Sequence, residues 1–140
     1  AGRHGANVAR RGITGFCWGG RVVWLYAAHA KDLDAGVAFY GRVVSQKTAL
    51  QPLSAIEEVA RLKAPVLGQY GGLDKGIPLS DLETMRSALK AAGKSPPDAI
   101  TVYPQADHGF MADYRPSYNP AAATAAWDAT LGWFGKYVKG

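Results

Sequence analysis

One cysteine in this chain stands where it could act as a nucleophile. Cys17 lies in the segment GFCWGG, directly after the short apolar run that begins at Gly12. A strand that runs into a sharp turn strains its central residue, and bulky side chains two positions before and after it would collide. Gly15 and Gly19 are therefore expected to fit those positions. The segment is the cysteine form of the G-x-S-x-G turn that presents a nucleophile at the start of a helix.

An aspartate and a histidine further along the chain supply a possible acid and base. Asp74 ends the segment YGGLD, and His108 begins the segment HGF. In such a set the thiolate attacks a carbonyl carbon, the imidazole moves the proton, and the carboxylate orients the imidazole. Asp107 is the alternative acid, but neighbours in sequence rarely orient each other's side chains, so Asp74 is preferred. The backbone N–H of Trp18 is the first expected donor to the developing oxyanion.

The other histidines show no metal-binding pattern. The chain has one cysteine and three histidines, and their spacing matches no common ligand set, so no metal is predicted. His4 and His29 are interpreted as surface residues. A lone cysteine excludes an intramolecular disulfide and is typical of a reducing compartment, although a buried inert thiol is the alternative interpretation of Cys17.

Apolar runs alternate with helical patterns along the chain. Strands are predicted at about residues 12–16, 35–40, 65–70 and 99–103, and helices at about residues 19–30, 55–61, 78–92 and 120–138. The apolar runs lack polar alternation, which is typical of strands covered on both faces. The order predicts an α/β fold, with a parallel sheet of about four strands and flanking helices.

The last predicted helix carries a line of large apolar residues. Asn119 is a good N-cap for it. The line repeats at helical spacing and consists of Trp127, Leu131, Phe134 and Val138. Such a line is typical of a face packed against the core, and we expect it to be buried rather than to form a binding surface.

The candidate site residues all follow predicted strands. Cys17 comes after the first strand, Asp74 after the third and His108 after the fourth. Because ligands bind at the carboxyl ends of the strands in such sheets, the three side chains are expected to meet at one edge.

Composition and charge limit the number of domains, the kinds of partner and the location that the sequence allows. The chain has 140 residues, is 48% hydrophobic and carries a net charge of +5, which predicts one globular domain spanning residues 1–140. The charge is spread along the chain without a basic stripe and stacking aromatics, which argues against a nucleic-acid partner. No apolar run approaches the roughly 18 residues of a membrane span, and no signal peptide is visible. We expect a cytoplasmic protein, and the lack of an initiator methionine suggests a processed or truncated start.

From about residue 12 to residue 138, the chain resembles the C-terminal part of the dienelactone hydrolase family, the carboxymethylenebutenolidase-like α/β-hydrolases. The order cysteine, aspartate, histidine is that of the nucleophile, acid and base in α/β-hydrolases. The motifs that carry the resemblance are GFCWGG (15–20), AFYG (38–41), APVLG (64–68), YGGLD (70–74) and HGF (108–110).

The resemblance implies a site and a reaction. It implies a catalytic triad of Cys17, Asp74 and His108, a substrate contact at Tyr40, and hydrolysis of a lactone or carboxylic ester through an acyl-enzyme. The family's namesake case is the opening of a dienelactone to maleylacetate in aromatic degradation, and no cofactor is implied. The archetype has a substrate-binding arginine four residues after its histidine, where this chain has alanine. Arg115 lies three residues further on and is the candidate replacement.

The resemblance also implies strands that precede this chain. On the order of a hundred residues come before the nucleophile turn in the family's fold, and they would supply a second oxyanion donor and a glutamate that controls the cysteine. Three interpretations therefore stay open: a cysteine-dependent hydrolase or its catalytic C-terminal part, a non-catalytic fragment, and a thiol redox or binding protein. A homodimer or association with a separate N-terminal segment is expected, because the first strand would otherwise be an open edge.

Overall fold

Four parallel strands form one sheet in this chain. The structure is a computed structural model that describes residues 2–94, 96 and 99–138. The strands are β1 (Gly12–Phe16), β2 (Ala35–Phe39), β3 (Val66–Gly71) and β4 (Ile100–Tyr103), paired in the order β1-β2-β3-β4. All three pairings are parallel. The predicted α/β fold with a four-stranded parallel sheet is confirmed.

Three α-helices flank the sheet. They are α1 (Trp18–His29), α2 (Leu79–Ala91) and α3 (Pro120–Tyr137). The predicted second helix is a 3₁₀ segment, Ala55–Arg61, and a shorter one spans Gly2–His4. Helix α1 contacts β1, β2, β3 and the longer 3₁₀ segment, and α3 contacts β2 and β3. The predicted N-cap of α3 is present, since the side-chain oxygen of Asn119 accepts the Ala122 N–H at 3.0 Å.

The inner and outer strands differ in burial. Every residue of β2 and β3 is buried, whereas β1 alternates between exposed and half-buried positions. Within the described sheet β1 pairs with β2 alone and lies at one edge. The expected covering of both faces therefore holds for the two inner strands and not for β1.

A buried glutamine fixes α3 against the sheet. Gln69 on β3 is fully buried, and its amide donates to the Ala126 carbonyl at 3.0 Å and to Thr130 Oγ1 at 2.9 Å. Its carbonyl oxygen accepts the Tyr103 hydroxyl at 2.7 Å. Because an unpaired buried amide would be costly, these bonds determine which face of α3 meets the sheet.

The predicted burial of the large apolar line on α3 is wrong for its first half. Trp127 is 48% exposed and Leu131 is 53% exposed. The buried face of α3 is a different one, made mostly of small residues that let the helix approach the sheet: Ala122, Ala123, Ala126, Thr130 and Trp133. Phe134 is half-buried and lies over Gly12, where an added Cβ would come within 2.9 Å of its ring. Trp127 and Leu131 thus lie on the outer surface of α3, on the same face as Phe134, which meets β1.

Candidate active site

Cys17 occupies the tight turn between β1 and α1. Its backbone has φ 55° and ψ −122°, in the left-handed region that side chains rarely adopt. Its N–H donates to the Phe39 carbonyl at 3.0 Å, which ties the turn to the end of β2. Its own carbonyl accepts from the N–H groups of Gly20 and Arg21, so the turn leads directly into the helix. The half-buried thiol is thus held at the carboxyl edge of the sheet.

The expected crowding around the turn is found at Gly15 but not at Gly19. A Cβ at Gly15 would lie 2.4 Å from the Gly19 carbonyl oxygen, so this position cannot carry a side chain without movement. The same expectation for Gly19 is wrong, since a Cβ there meets nothing within 4 Å. The second crowded position is Gly20, where a Cβ would lie 2.5 Å from the Phe39 carbonyl oxygen. The turn closes through the backbone of Gly19, while its Cα–H faces open space.

Asp74 and His108 meet at the same edge of the sheet. Nδ1 of His108 lies 2.7 Å from Oδ2 of Asp74, within hydrogen-bond distance. Oδ1 of the same carboxylate accepts the Gly76 N–H at 2.8 Å. The carboxylate is 3% exposed and the imidazole 40% exposed. The aspartate is therefore anchored inside the fold, and the imidazole presents its other nitrogen outward.

Asp107 has a different partner. Its Oδ1 accepts the backbone N–H of His108 at 2.6 Å and shapes the loop. Within the described residues, Asp74 is the carboxylate hydrogen-bonded to the imidazole ring of His108.

Cys17 and His108 line one cavity of about 440 Å³. No hydrogen bond joins the thiol to the imidazole among the residues that the structure describes. Catalytic hydrogen bonds are often long in a free site and shorten when a substrate binds. The shared cavity is consistent with that behaviour. The N–H of Trp18 begins α1, where a helix leaves its first N–H groups without intrahelical acceptors.

Tyr40 also borders the first cavity, whereas Arg115 does not. Together with Cys17 they line a second cavity of about 320 Å³. Tyr40 has φ 37°, and its ring centre lies 5.1 Å from that of His108. Burial raises the pKa of Tyr40 to about 12, and the nearby Cys17 adds to the rise, while Arg115 opposes it. The Tyr40 hydroxyl therefore keeps its proton near neutral pH and can donate a hydrogen bond.

Two residues of the first cavity carried no signal in the sequence. Arg21 follows the turn on α1, and Arg42 follows the end of β2, and both line the cavity with Cys17. An arginine in a helix or a loop is usually a solvated surface residue. Only their position beside the thiol distinguishes these two.

Two other kinds of feature are absent from the described residues. Within residues 2–94, 96 and 99–138, no three His, Cys, Asp or Glu side chains form a group that could hold a metal ion. None of the helices in that part of the chain is both long and apolar enough to cross a membrane.

Comparisons with known proteins agree on one family. A protein of Methylorubrum extorquens, named as a carboxymethylenebutenolidase, is 52% identical over 94% of this chain and 45% of its own length. A Bradyrhizobium protein, named as a 2-oxo-3-(5-oxofuran-2-ylidene)propanoate lactonase, is 35% identical over 87% of this chain and 48% of its own. The chain thus spans about half the length of the curated relatives it matches.

Solved structures agree with these relatives. A crystal structure from Klebsiella pneumoniae, titled as a dienelactone hydrolase, has a TM-score of 0.92 and 49% identity, and it covers 97% of this chain and 56% of that one. The acylaminoacyl peptidase of Pyrococcus horikoshii has a TM-score of 0.76 at 19% identity, with 96% of this chain and 25% of that one covered, and shares the fold alone. The family model for dienelactone hydrolases matches residues 3–138, so the chain belongs to the dienelactone hydrolase family.

Proposed function

We propose that this chain carries the nucleophile, base and acid of a cysteine-dependent hydrolase that opens lactones and carboxylic esters. The main support is the arrangement at one cavity, where a cysteine lies in a strained turn and a histidine is hydrogen-bonded to a buried aspartate at 2.7 Å. A thiol redox or binding protein would need the cysteine but not the Asp74–His108 pair.

The first half of the proposed reaction forms an acyl-enzyme. Sγ of Cys17, as a thiolate, attacks the carbonyl carbon and forms a C–S bond, and the carbonyl electrons move to the oxygen. The Trp18 N–H donates to that oxyanion. When the C–O bond of the ester breaks, the protonated imidazole of His108 gives its proton to the leaving oxygen. In a lactone the leaving oxygen stays attached to the acyl chain.

The second half returns the enzyme to its starting state. His108, now neutral, takes a proton from water, and the resulting hydroxide attacks the thioester carbon. The C–S bond breaks, the thiolate leaves, and a carboxylic acid is released. Asp74 holds the imidazole orientation and stabilises its cation in both halves. The products are an acid and an alcohol, joined in one molecule when the substrate is a lactone.

Arg115 is the proposed contact for an acidic group of the substrate. It lines the 320 Å³ cavity with Cys17 and Tyr40, and a guanidinium binds a carboxylate through two parallel hydrogen bonds. Arg115→Ala is therefore expected to slow hydrolysis of acidic esters more than that of neutral ones. An equal effect on both esters identifies Arg115 as a residue that shapes its own loop.

The experiment that tests the hydrolase compares the chain with its Cys17→Ala variant. Both are assayed on a p-nitrophenyl ester and on a dienelactone, and iodoacetamide labelling of Cys17 is followed by mass. Alkylation and Cys17→Ala are each expected to abolish hydrolysis, whereas Cys17→Ser keeps a small part of it. Full activity in Cys17→Ala contradicts the proposed nucleophile, and no activity in the unmodified chain favours the non-catalytic fragment.

The rate of the chain by itself is expected to be low. The turn supplies one proposed oxyanion donor, the Trp18 N–H at the start of α1. The loss of one donor costs about 3 kcal/mol of transition-state stabilisation, or roughly a hundredfold in rate. We propose that a preceding segment, of the kind the longer relatives have room for, carries the second donor.

A further inference from the structure

One hydrogen bond to the ring holds the imidazole of His108 in the described part of the chain. Its Nδ1 lies 2.7 Å from Oδ2 of Asp74, and 40% of the His108 side chain is exposed. A single hydrogen bond fixes the place of Nδ1 but lets the ring turn about that bond. The direction of Nε2 therefore depends on a second contact, and a base works only when its nitrogen points at the proton that it moves.

The ring of Tyr40 provides that second contact. The centres of the Tyr40 and His108 rings lie 5.1 Å apart, with 59° between the ring planes. The Tyr40 N–H donates to the Gln69 carbonyl at 2.8 Å, and the residue is 3% exposed. The backbone of Tyr40 is thus fixed to β3, so the direction of its ring depends on the side chains that pack against it.

Of the phenylalanine rings that contact Tyr40 within the described residues, that of Phe110 lies nearest. Its centre is 5.4 Å from that of Tyr40 at 71°, an edge-to-face arrangement that aromatic pairs prefer. The rings of Phe16 and Phe39 lie 6.1 Å from that of Tyr40. Phe110 is fully buried, and its carbonyl accepts the Asn119 N–H at 3.1 Å. The Phe110 ring therefore has little room to move, and it restrains the Tyr40 ring in turn.

Gln69 closes these contacts into a frame of four residues. Phe110 also contacts Tyr103, with 5.3 Å between the ring centres. The Tyr103 hydroxyl donates to Oε1 of Gln69 at 2.7 Å, while the backbone carbonyl of Gln69 accepts from Tyr40. Both tyrosines that contact Phe110 are therefore tied to one residue of β3. This aromatic frame consists of Gln69, Tyr40, Phe110 and Tyr103.

We propose that Phe110 is a positioning residue for His108, which sets the ring plane of the imidazole through Tyr40 and so the direction of Nε2. The inference rests on the proposed hydrolase and adds to Asp74 a second support of the base. Phe110 lines neither of the two cavities that contain Cys17, so it acts through Tyr40 and not on a substrate. A core residue without this role would affect stability alone.

Nitrogen NMR of the histidines tests the positioning without any turnover. The chain has three histidines, so the signals of His4 and His29 serve as internal references when histidine is ¹⁵N-labelled. At a pH where the imidazoles are neutral, the shifts of the two ring nitrogens report which one carries the proton. In the unmodified chain we expect His108 to carry it on Nδ1, toward Asp74. In Phe110→Leu the share of the Nε2–H form is expected to rise about tenfold, because the ring gains a second orientation.

Leu89→Ala is the matched control for the loss of buried volume. Phe110→Leu and Leu89→Ala remove the same number of carbon atoms from side chains that are at most 1% exposed. Leu89 lies on α2, and no residue of that helix lines either cavity with Cys17 in the described structure. The His108 signals are expected to stay unchanged in Leu89→Ala, although urea unfolding shows a loss of stability in both variants.

Hydrolysis of a p-nitrophenyl ester measures the consequence for the reaction. In Phe110→Leu, kcat is expected to fall about tenfold while KM changes little, since a misplaced base slows the chemical step more than it weakens binding. The same substitution is expected to have little further effect in a Tyr40→Leu background, because the route from Phe110 to His108 then lacks its middle residue. Leu89→Ala is expected to keep kcat.

The outcomes decide the inference. Unchanged His108 signals in folded Phe110→Leu overturn it, and so do equal changes in Leu89→Ala. Losses of kcat that add fully in the double variant overturn the route through Tyr40.

Two further outcomes keep the inference testable and separate from the proposed function. If Phe110→Leu does not fold, Phe110→Met replaces it, because a flexible thioether side chain fills core gaps, and the Nε2–H form of His108 is expected to rise there too. Unchanged signals in Phe110→Met then overturn the inference. If the unmodified chain hydrolyses no ester, the proposed function fails, and the NMR signals still decide whether Phe110 positions the imidazole.

Discussion

His108 and Asp74 form a pair in which the aspartate is held at both oxygens. Oδ2 lies 2.7 Å from Nδ1 of the imidazole, and Oδ1 accepts the Gly76 N–H at 2.8 Å. A carboxylate that is hydrogen-bonded through both oxygens has little freedom to turn away from the imidazole. The geometry therefore selects the proton-bearing nitrogen of His108 and leaves the other nitrogen for the cavity.

Asp74→Asn is expected to lower turnover by orders of magnitude while the fold persists. An amide in place of the carboxylate can favour the wrong tautomer of His108 and cannot stabilise its cation. The measurement is kcat on a p-nitrophenyl ester, with circular dichroism to verify folding.

Asp107→Asn is the matched control for this change. Asp107 accepts the His108 backbone N–H, and an asparagine oxygen can accept the same bond. A small effect on kcat is expected. A larger loss in Asp107→Asn than in Asp74→Asn contradicts the assignment of the acid.

Gly15→Ala and Gly19→Ala are expected to have opposite effects on stability. The added methyl group at position 15 would lie 2.4 Å from the Gly19 carbonyl oxygen, and such overpacking costs about 1–3 kcal/mol. The methyl group at position 19 meets nothing within 4 Å. Since Gly19 lies in α1, alanine there is expected to gain about 0.5 kcal/mol. Urea unfolding followed by circular dichroism measures both free energies, and comparable losses in the two variants contradict the difference in space between Gly15 and Gly19.

Stability is expected to fall at alkaline pH because of buried tyrosines. The pKa of Tyr40 rises from 10.0 to about 12, so the folded chain keeps a proton that the unfolded chain loses. The stabilising contribution is complete below the unfolded pKa and is lost as pH rises toward the folded one. Tyr103 behaves in the same way, with its pKa raised to about 12 by burial. The free energy of unfolding is therefore expected to decline between about pH 10 and about pH 12.

Tyr40→Phe isolates one part of this decline. It removes the ionisable hydroxyl and keeps the ring, so the free energy of unfolding is expected to fall less steeply over the same range. Urea titrations at several alkaline pH values measure the slope. Identical slopes in the variant and the unmodified chain contradict the role given to Tyr40.

The sequence could predict the sheet and the position of the site because both follow from local patterns. Alternating apolar runs and helical periods identify the strands, and the carboxyl ends of parallel strands bring Cys17, Asp74 and His108 to one edge. The orientation of α3 could not be predicted in this way. Periodicity shows that Trp127 and Leu131 share a face, but the bonds from Gln69 to Ala126 and Thr130, about 100° further around the helix, decide which side is buried.

The two arginines of the first cavity could not be identified from local sequence patterns, for a related reason. Arg21 and Arg42 lie on separate elements, and neither forms part of a recognisable motif. Their common feature is the absence of a carboxylate partner within the described residues, which depends on the packing of distant segments. Charge without compensation is a property of the folded chain, and only the structure can show it.

The edge strand β1 of the described sheet favours association with another chain. Within the described sheet β1 has one neighbour, and Phe16 on this strand is 44% exposed. Trp127 and Leu131 are exposed and belong to the same apolar line of α3 as Phe134, which lies over Gly12 on β1. An unpaired edge flanked by exposed apolar side chains tends to recruit another chain. The chain is therefore expected to self-associate when no other segment covers this side.

Light scattering and two kinds of variant test this association. Trp127→Lys with Leu131→Lys is expected to shift the chain toward monomer, because a charge on each residue opposes burial of the line. Leu50→Lys is the control, since Leu50 is 94% exposed on the loop between β2 and the longer 3₁₀ segment and is not part of the apolar line, and it is expected to leave the mass unchanged. A stable monomer of the unmodified chain, with turnover comparable to that of a full-length family member, contradicts the open edge as a docking surface. Dissociation by Leu50→Lys contradicts it equally, because the contact would then lie elsewhere.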